Sequence, residues 1–283
     1  GDWDDPLPRY AGGTAYLATL QAAMPAVFER ARPALVFWIS GVDPHRNDRF
    51  GQLQLSLREM GQRDQRVIDF FPKVCRHSKG EWSGKPITLE PWEQFVLGCA
   101  FGWKGDNGLR RFRSLYCSIA RKNGKSLIGA GLGLYMMAAD GEPGAEVYSA
   151  ATKRDQARIV FDEAARMVSK SPALKKRVTA YKTALTLAGT ASRFIPLSSE
   201  AHSLDGLNPH AAIVDELHAH KTREVVDVIE SAFGARRQPM MIYITTRGVD
   251  GQTVGRETDD YAVKVLEGTI EDDGFFAFIT AMD

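Results

Sequence analysis

The spacing of apolar side chains changes about a hundred residues into the chain. Before that point apolar residues recur three and four positions apart, which predicts helices over Thr14–Arg32, over Phe50–Phe71 and from Glu90-Pro91 onward. Pro91 suits the first turn of the third helix, because the N–H that proline lacks is not needed there. The first hundred residues are therefore expected to be mainly helical.

From residue 113 onward, short apolar runs alternate with amphipathic segments. The runs predicted as strands are Arg113–Ile119, Glu146–Ala150, Ala211–Val214, Met240–Thr245 and Phe275–Thr280, with a hairpin of Thr183–Leu187 and Arg193–Leu197. The segments predicted as helices are Leu127–Ala139, Asp155–Val168, Thr222–Phe233 and Tyr261–Leu266. Strands that alternate with helices predict an α/β domain with a largely parallel sheet.

Composition narrows the class of protein without identifying it. Of 283 residues, 44% are hydrophobic and 25% charged, which is the balance of a globular chain and excludes a disordered or fibrous one. The 36 basic and 35 acidic residues nearly cancel, so any contact with nucleic acid has to be local. Three widely spaced cysteines predict reduced thiols in a cytosolic protein, and neither a signal peptide nor a membrane span is predicted.

The sharpest motif is Ala120-Arg121-Lys122-Asn123-Gly124-Lys125-Ser126, between a predicted strand and a predicted helix. This is the setting of a Walker A loop, in which backbone N–H groups and a helix N-terminus bind phosphates. Lys125 is expected to reach the β- and γ-phosphates of ATP, and the Ser126 hydroxyl to bind Mg²⁺. Ile119 stands where the first glycine of the usual pattern belongs, so this motif alone leaves an ordinary strand–helix turn open.

A second motif has the form of a Walker B strand. The apolar run Ala211–Val214 ends in Asp215 and Glu216, ninety residues after Lys125. In this pattern the first acid holds the shell of a Mg²⁺ ion and the second polarises the attacking water. Two acids can also simply cap a helix, but two such motifs in this order predict ATP hydrolysis.

These stretches resemble the large terminase subunit, the DNA-packaging motor of tailed bacteriophages. The matching segments are Gly84–Trp103, Ala120–Ser126, Tyr148–Phe161, Leu204–His220 and Ala235–Gly248. The resemblance implies a RecA-like P-loop NTPase fold of the additional-strand, catalytic-glutamate type. It divides the chain into a helical N-terminal extension or lid (1–83), the ATPase core (84–248) and a linker (249–283) toward the nuclease domain of full-length members.

The resemblance also implies roles for individual residues. Gln94 is expected to recognise adenine, whose N6 and N7 an amide can pair. Arg121 is expected close to the γ-phosphate, with Lys122 as its rival. Threonine is common in strands, but Thr245 and Thr246 match the family's coupling motif. The expected nucleotide-binding set is Gln94, Arg121, Lys122, Asn123, Gly124, Lys125, Ser126, Thr245 and Thr246.

One departure from the family concerns an arginine that acts on the neighbouring subunit. Some members carry it about eleven residues before the catalytic glutamate, where this chain has Asp205. An acid cannot stabilise the negative charge that develops on phosphate. Arg236 and Arg237 are the substitutes we expect, and the weaker candidates are Arg154, Arg158 and Arg247.

The resemblance implies ATP and Mg²⁺ as cofactors and double-stranded DNA, contacted through its phosphates, as a partner. It further implies a portal protein, a small terminase subunit and a homo-oligomeric ring in the host cytoplasm, with a monomer possible in isolation.

The remaining charged groups are expected to have no special role. The basic clusters Arg110–Arg113, Lys175–Arg177 and Arg236–Arg237 are expected to be mostly solvated charge. His218 and His220 are expected to belong to a polar loop in preference to a metal site.

Two other functions stay open at this point. A helicase-like ATPase needs a second RecA-like domain, and only 37 residues follow Thr246. A docking or DNA-binding module with a degenerate nucleotide site is supported by Ile119 alone.

Overall fold

The computed structural model describes residues 57–105, 107–151, 153–198, 206–220, 222–246 and 253–280, without the side chains of 57–64, Arg154 and Ser198. All of these residues belong to one of two units of the chain, Phe37–Asp283. The other unit, Gly1–Val36, and the helix predicted over Thr14–Arg32 lie outside the described residues.

Helices and strands alternate through the described residues as the apolar spacing predicts. The α-helices are α1 (Leu57–Val74), α2 (Pro91–Gly102), α3 (Lys125–Ala138), α4 (Arg154–Lys170), α5 (Pro172–Lys175), α6 (Glu224–Ser231) and α7 (Val254–Leu266). The strands are β1 (Ser114–Ser118), β2 (Glu146–Ala151), β3 (Val178–Ala180), β4 (Leu185–Leu187), β5 (Arg193–Ser198), β6 (Pro209–Asp215), β7 (Met240–Thr245) and β8 (Phe275–Ile279). The strand predictions and the hairpin are confirmed, whereas α5 and β3 were not predicted.

The eight described strands form one mixed sheet in the order β3-β4-β5-β2-β6-β7-β1-β8. Strands β5, β2, β6, β7, β1 and β8 run parallel, and β3 and β4 add an antiparallel end. Since β7 lies between β6 and β1, the carboxyl ends of these two strands are roughly 10 Å apart. The Walker A loop, the two acids and the two threonines therefore meet at one edge of the sheet.

The last described strand, β8, lies in the segment after residue 248. β8 pairs in parallel with β1, from Ser114 opposite Phe275 to Ser118 opposite Ile279. Its side chains alternate between the two faces of the sheet, because Phe276 and Phe278 enter one core and Ala277 the other. The segment expected as a linker after residue 248 thus contributes an edge strand to the same sheet.

The sheet has a separate hydrophobic core on each face. Along β7, Ile242 and Ile244 pack with α1–α4, while Met241 and Tyr243 pack with α6 and α7. Glycines bring α3 close to its neighbours: a Cβ at Gly131 would stand 2.3 Å from the Phe71 ring. The helix that follows the Walker A loop is therefore held tightly by its surroundings.

At the opposite, amino edge of the sheet lies a buried ionic cluster. The guanidinium of Arg110 donates to both carboxylate oxygens of Asp140, at 3.1 and 2.7 Å, and His210 Nε2 lies 2.7 Å from the same carboxylate. The side chains of Arg110, Asp140 and His210 are 1%, 7% and 0% exposed. The prediction of solvated charge is therefore wrong for Arg110.

Candidate nucleotide-binding site

The Walker A loop joins β1 to α3 through two residues in the left-handed backbone region. Lys122 has φ 70° and Gly124 has φ 71°, and Gly124 caps α3. The Ile128 N–H donates to the Gly124 carbonyl at 2.9 Å, which begins the helix. Arg121, Lys122, Asn123 and Gly124 are exposed, so the loop is open to a ligand at the N-terminus of a helix.

Ile119 has a structural explanation as a substitute for the first glycine of the motif. Its side chain is buried, and its N–H donates to the carbonyl of Thr245 at 3.0 Å. This bond extends the pairing of β1 with β7 by one residue. The residue thus belongs to the sheet, and the loop begins after it.

Lys125 is anchored by neutral oxygen atoms. Its ammonium donates to Thr246 Oγ1 at 2.8 Å and to the Ala120 carbonyl at 3.4 Å. The described residues include no carboxylate that forms an ion pair with it. Its charge can therefore be directed at a phosphate.

Ser126 and Asp215 meet across the sheet edge, as the two motifs predict. The Ser126 hydroxyl donates to Asp215 Oδ2 at 3.3 Å, and the buried Asp215 Oδ1 has no hydrogen-bond partner. Burial, and then the charge of Glu216, raise the pKa of Asp215 to about 6. A divalent cation would supply the missing partner and favour the ionised carboxylate, so the pair fits Mg²⁺, which binds few protein ligands and keeps its waters.

Glu216 begins a tight turn directly after β6. Its backbone lies in the left-handed region, with φ 53°, which is uncommon for residues other than glycine and recurs at functional sites. Its N–H donates to the Ile244 carbonyl at 3.1 Å, so the turn is fixed to β7. The side chain is 33% exposed, at a place where water can reach it.

Sequence reasoning missed the role of His218 in this site. Its Nδ1 lies 3.1 Å from Glu216 Oε2 and 3.2 Å from Thr245 Oγ1, so it joins the Walker B acid to the coupling motif. His220 is buried, and burial lowers its pKa. The described residues contain no group of three or more His, Cys, Asp or Glu side chains that could hold a metal ion.

Gln94 lies in the first turn of α2. It is exposed, and its Nε2 donates to the Leu89 carbonyl at 2.9 Å. Trp92 in the same turn stacks on Phe278 of β8, which pairs with Cys117 of β1, so this turn lies close to the strand that precedes the Walker A loop. Its role in adenine recognition stays a prediction.

Glu93, beside Gln94, was also missed. Its Oε2 accepts the Glu90 N–H at 2.7 Å and completes a capping box at the start of α2. Burial raises the pKa of Glu93 to about 7. The capping box is the contact that fixes the turn carrying Gln94.

The two main candidates for the arginine that acts on a neighbouring subunit differ in their contacts within the chain. Arg236 donates to Glu142 Oε1 and to the carbonyls of Pro143, Gly144 and Asn208, and its side chain is 11% exposed. Arg237 is exposed. Because these contacts hold the Arg236 guanidinium within its own chain, Arg237 is the remaining candidate of the pair to act on a neighbouring subunit.

Of the weaker candidates for the arginine that acts on a neighbouring subunit, one is paired within its own chain and the others lie in part or wholly outside the described residues. Arg158 forms an ion pair with Asp162 at 2.9 Å. Asp205, Arg247 and the side chain of Arg154 lie outside the described part of the chain.

The parallel sheet, the loop from β1 to α3 and the acids after β6 define an α/β P-loop nucleotide-binding domain of the RecA-like type. The chain belongs to the family of the terminase large subunit, since the model "Terminase large subunit, ATPase domain" matches residues 91–264. A model for a histone deacetylase domain also matches residues 2–79, most of which lie outside the described residues.

Individual relatives agree with the terminase family. The terminase large subunit of Enterobacteria phage HK97 is 31% identical over 208 residues, which are 71% of this chain and 40% of the relative. Protein YmfN of Escherichia coli (strain K12) is 36% identical over 81 residues, 28% of this chain and 17% of the relative. The crystal structure of the HK97 large terminase matches with a TM-score of 0.65 and 27% identity, over 77% of this chain and 43% of that one. The chain thus spans about two fifths of the HK97 protein.

No helix among the described residues is both long enough and apolar enough to cross a membrane.

Proposed function

We propose that this chain hydrolyses ATP with Mg²⁺, and that the protein to which it belongs uses the energy to move double-stranded DNA into a procapsid in the host cytoplasm. The observation that carries the proposal is the meeting of Ser126, Asp215 and Glu216 at one sheet edge beside Lys125. Procapsid filling further requires a portal protein, a small terminase subunit and a ring of subunits as partners.

Each residue of the site has a defined task in this proposal. Loop N–H groups and Lys125 bind the β- and γ-phosphates, and exposed Arg121 adds positive charge there. Ser126 and Asp215 hold Mg²⁺, which supplies charge neutralisation at the phosphates when bound. Glu216 accepts a proton from the attacking water as general base. Thr246, bonded to Lys125, detects the loss of the γ-phosphate.

The alternative of a docking module with a degenerate nucleotide site was supported only by Ile119, and this residue has a structural explanation. The N–H of that residue completes a strand, and the loop after it retains Gly124, Lys125 and Ser126. The family match favours the terminase function over the helicase-like one.

Arg237 is the arginine that we propose to act on the neighbouring subunit. Arg237→Ala is expected to lower the ring's ATPase rate by about 10³-fold, since an arginine finger supplies at least that factor. Mixing this variant with Glu216→Gln should restore part of the activity, because mixed rings contain sites with an intact base and an intact arginine. Full activity of Arg237→Ala alone would exclude this role.

The DNA-contacting surface is proposed from the three basic clusters. Arg110 is buried with Asp140, and Arg236 is held by loop carbonyls. Lys175, Lys176 and Arg177 are exposed and form no ion pair within the described residues. Residues 164–198 contain seven basic side chains and no acidic one, on a chain whose net charge is +1. Arg166 and Arg193 are paired with Glu163 and Glu146, so the attraction for DNA phosphates in this segment centres on Lys175, Lys176 and Arg177.

Changing Lys175, Lys176 and Arg177 together to glutamine is expected to weaken DNA binding and to lower its salt slope by about 0.9 for each phosphate that is no longer neutralised. ATPase activity without DNA should be unchanged. The matched control removes the same charge at exposed Lys79, Lys85 and Lys264. Salt titrations of DNA affinity decide the matter: equal weakening in the two triple variants, or none in the first, would contradict the proposed surface.

A further inference from the structure

We infer that His218 is a positioning residue that orients Glu216 and connects it to Thr245. The inference rests on the proposed ATPase function and deepens it. It starts from one nitrogen atom, His218 Nδ1, which lies 3.1 Å from Glu216 Oε2 and 3.2 Å from Thr245 Oγ1.

The position of the proton on the His218 ring follows from what each neighbouring group can donate. An ionised carboxylate only accepts, so the proton must be on Nδ1, in the neutral ring and in the imidazolium alike. The Thr245 hydroxyl donates to the Thr246 carbonyl at 3.2 Å, which leaves its oxygen free to accept from His218. Nδ1–H therefore donates to the coupling motif and lies within ion-pair distance of the base.

These bonds extend to the phosphate-binding side of the site. Lys125 donates to Thr246 Oγ1 at 2.8 Å, and Thr246 is joined to Thr245 both by the peptide bond and by the hydroxyl–carbonyl contact. A shift of Lys125 on loss of the γ-phosphate can thus reach Glu216 through Thr246, Thr245 and His218. Every step in this path is a direct contact.

The turn that carries His218 is supported from behind by α7. A Cβ at Gly255 would lie 2.6 Å from His218 Cα and 2.7 Å from its backbone N. The Val254 N–H also donates to the His220 carbonyl at 3.4 Å. The backbone of His218 therefore has little room to move, and its ring can hold Glu216 although a third of that side chain is exposed.

A matched set of substitutions at His218 separates the effect of the N–H group at Nδ1 from the effect of the shape of the ring. Asparagine places an amide N–H close to the position of Nδ1, whereas glutamine places it close to Nε2. We expect His218→Asn to keep kcat within a few-fold of the wild type, and His218→Gln and His218→Ala to lose about 10–100-fold, as misplaced groups do. ATP affinity should be unchanged in all three. His77→Asn, outside the site, is the control.

Two results of this series would overturn the inference: equal losses in the asparagine and alanine variants, or full activity in all of them. The loss of kcat in the double variant Thr245→Val, His218→Ala should be smaller than the product of the two single losses, since both substitutions interrupt the same chain of contacts. Multiplicative losses would contradict the connection to Thr245.

A spectroscopic readout does not require hydrolysis. Long-range ¹H–¹⁵N spectra of the histidine rings, with the His218 signal assigned by its absence in His218→Asn, should show a protonated Nδ1. In Glu216→Ala the signal should move toward the commoner form protonated on Nε2. An unprotonated Nδ1 in the wild type would exclude both the hydrogen bond to Thr245 and the contact with Glu216. If the wild type has a protonated Nδ1 but no ATPase activity, the proposed function fails and the positioning contact stands.

Discussion

Replacement of Glu216 with glutamine is expected to leave ATP bound and to slow its hydrolysis by about 10³-fold. Glutamine has the shape of glutamate, but it cannot take a proton from water. In the proposed site the phosphate contacts come from the loop around Lys125 and do not depend on this carboxylate. Nucleotide affinity and the rate of phosphate release, measured on the same sample, test both halves of the prediction.

Glu224 provides a matched control for that variant. It is an exposed glutamate in the first turn of α6, a few residues after the turn that carries Glu216. Glu224→Gln removes the same charge and should retain the wild-type rate. Hydrolysis in Glu216→Gln within a few-fold of the wild type would assign the general base to another group.

Replacement of Asp140 with asparagine is expected to lower the free energy of unfolding by about 3–5 kcal/mol. The variant leaves Arg110 and His210 buried without their carboxylate, at the edge of the sheet opposite the nucleotide site. Asp227→Asn, which removes a carboxylate that is 57% exposed from its pair with Arg223, should change stability by about 0–1 kcal/mol. Urea denaturation of the two variants measures the difference, and similar values for both would contradict a buried ionic cluster.

We also expect the protein to lose stability in acid because of the Asp140 carboxylate. Burial alone would raise the pKa of Asp140, but the hydrogen bond from His210 and the charge of Arg110 outweigh it and hold the pKa well below its usual range. A lowered pKa in the folded state stabilises the protein above the ordinary value of about 4, and this stabilisation is lost as the pH falls below it. Asp140→Asn should therefore flatten the acid limb of the stability curve.

The sequence predicted the strands and both nucleotide motifs because these are local patterns. Short apolar runs mark buried strands, and Gly124 with Lys125 and Ser126 marks a phosphate loop. It did not predict the order of the strands, which places Thr246 beside Lys125 even though 121 residues separate them. His218 had no pattern of its own, since its partners are fixed by how the ends of β6 and β7 meet.

The basic clusters show why charge is harder to interpret than hydrophobicity. Arg110 and Arg236 look like surface arginines in the sequence, but their partners Asp140 and Glu142 are 30 and 94 residues away. Only folding brings such pairs together. The strand predicted near the end of the expected linker segment has its partner β1 more than 150 residues earlier, and only folding brings these two strands together as well.

The central claim is that the Walker A loop and the acids after β6 form one site at which ATP is hydrolysed. Single-turnover conversion of γ-labelled ATP to phosphate by the wild-type chain tests it most directly, with Glu216→Gln as the blank and with Mg²⁺ either present or chelated. The account predicts phosphate release by the wild type that needs Mg²⁺ and that the blank does not show. ATP that binds but is converted no faster by the wild type than by Glu216→Gln would contradict it.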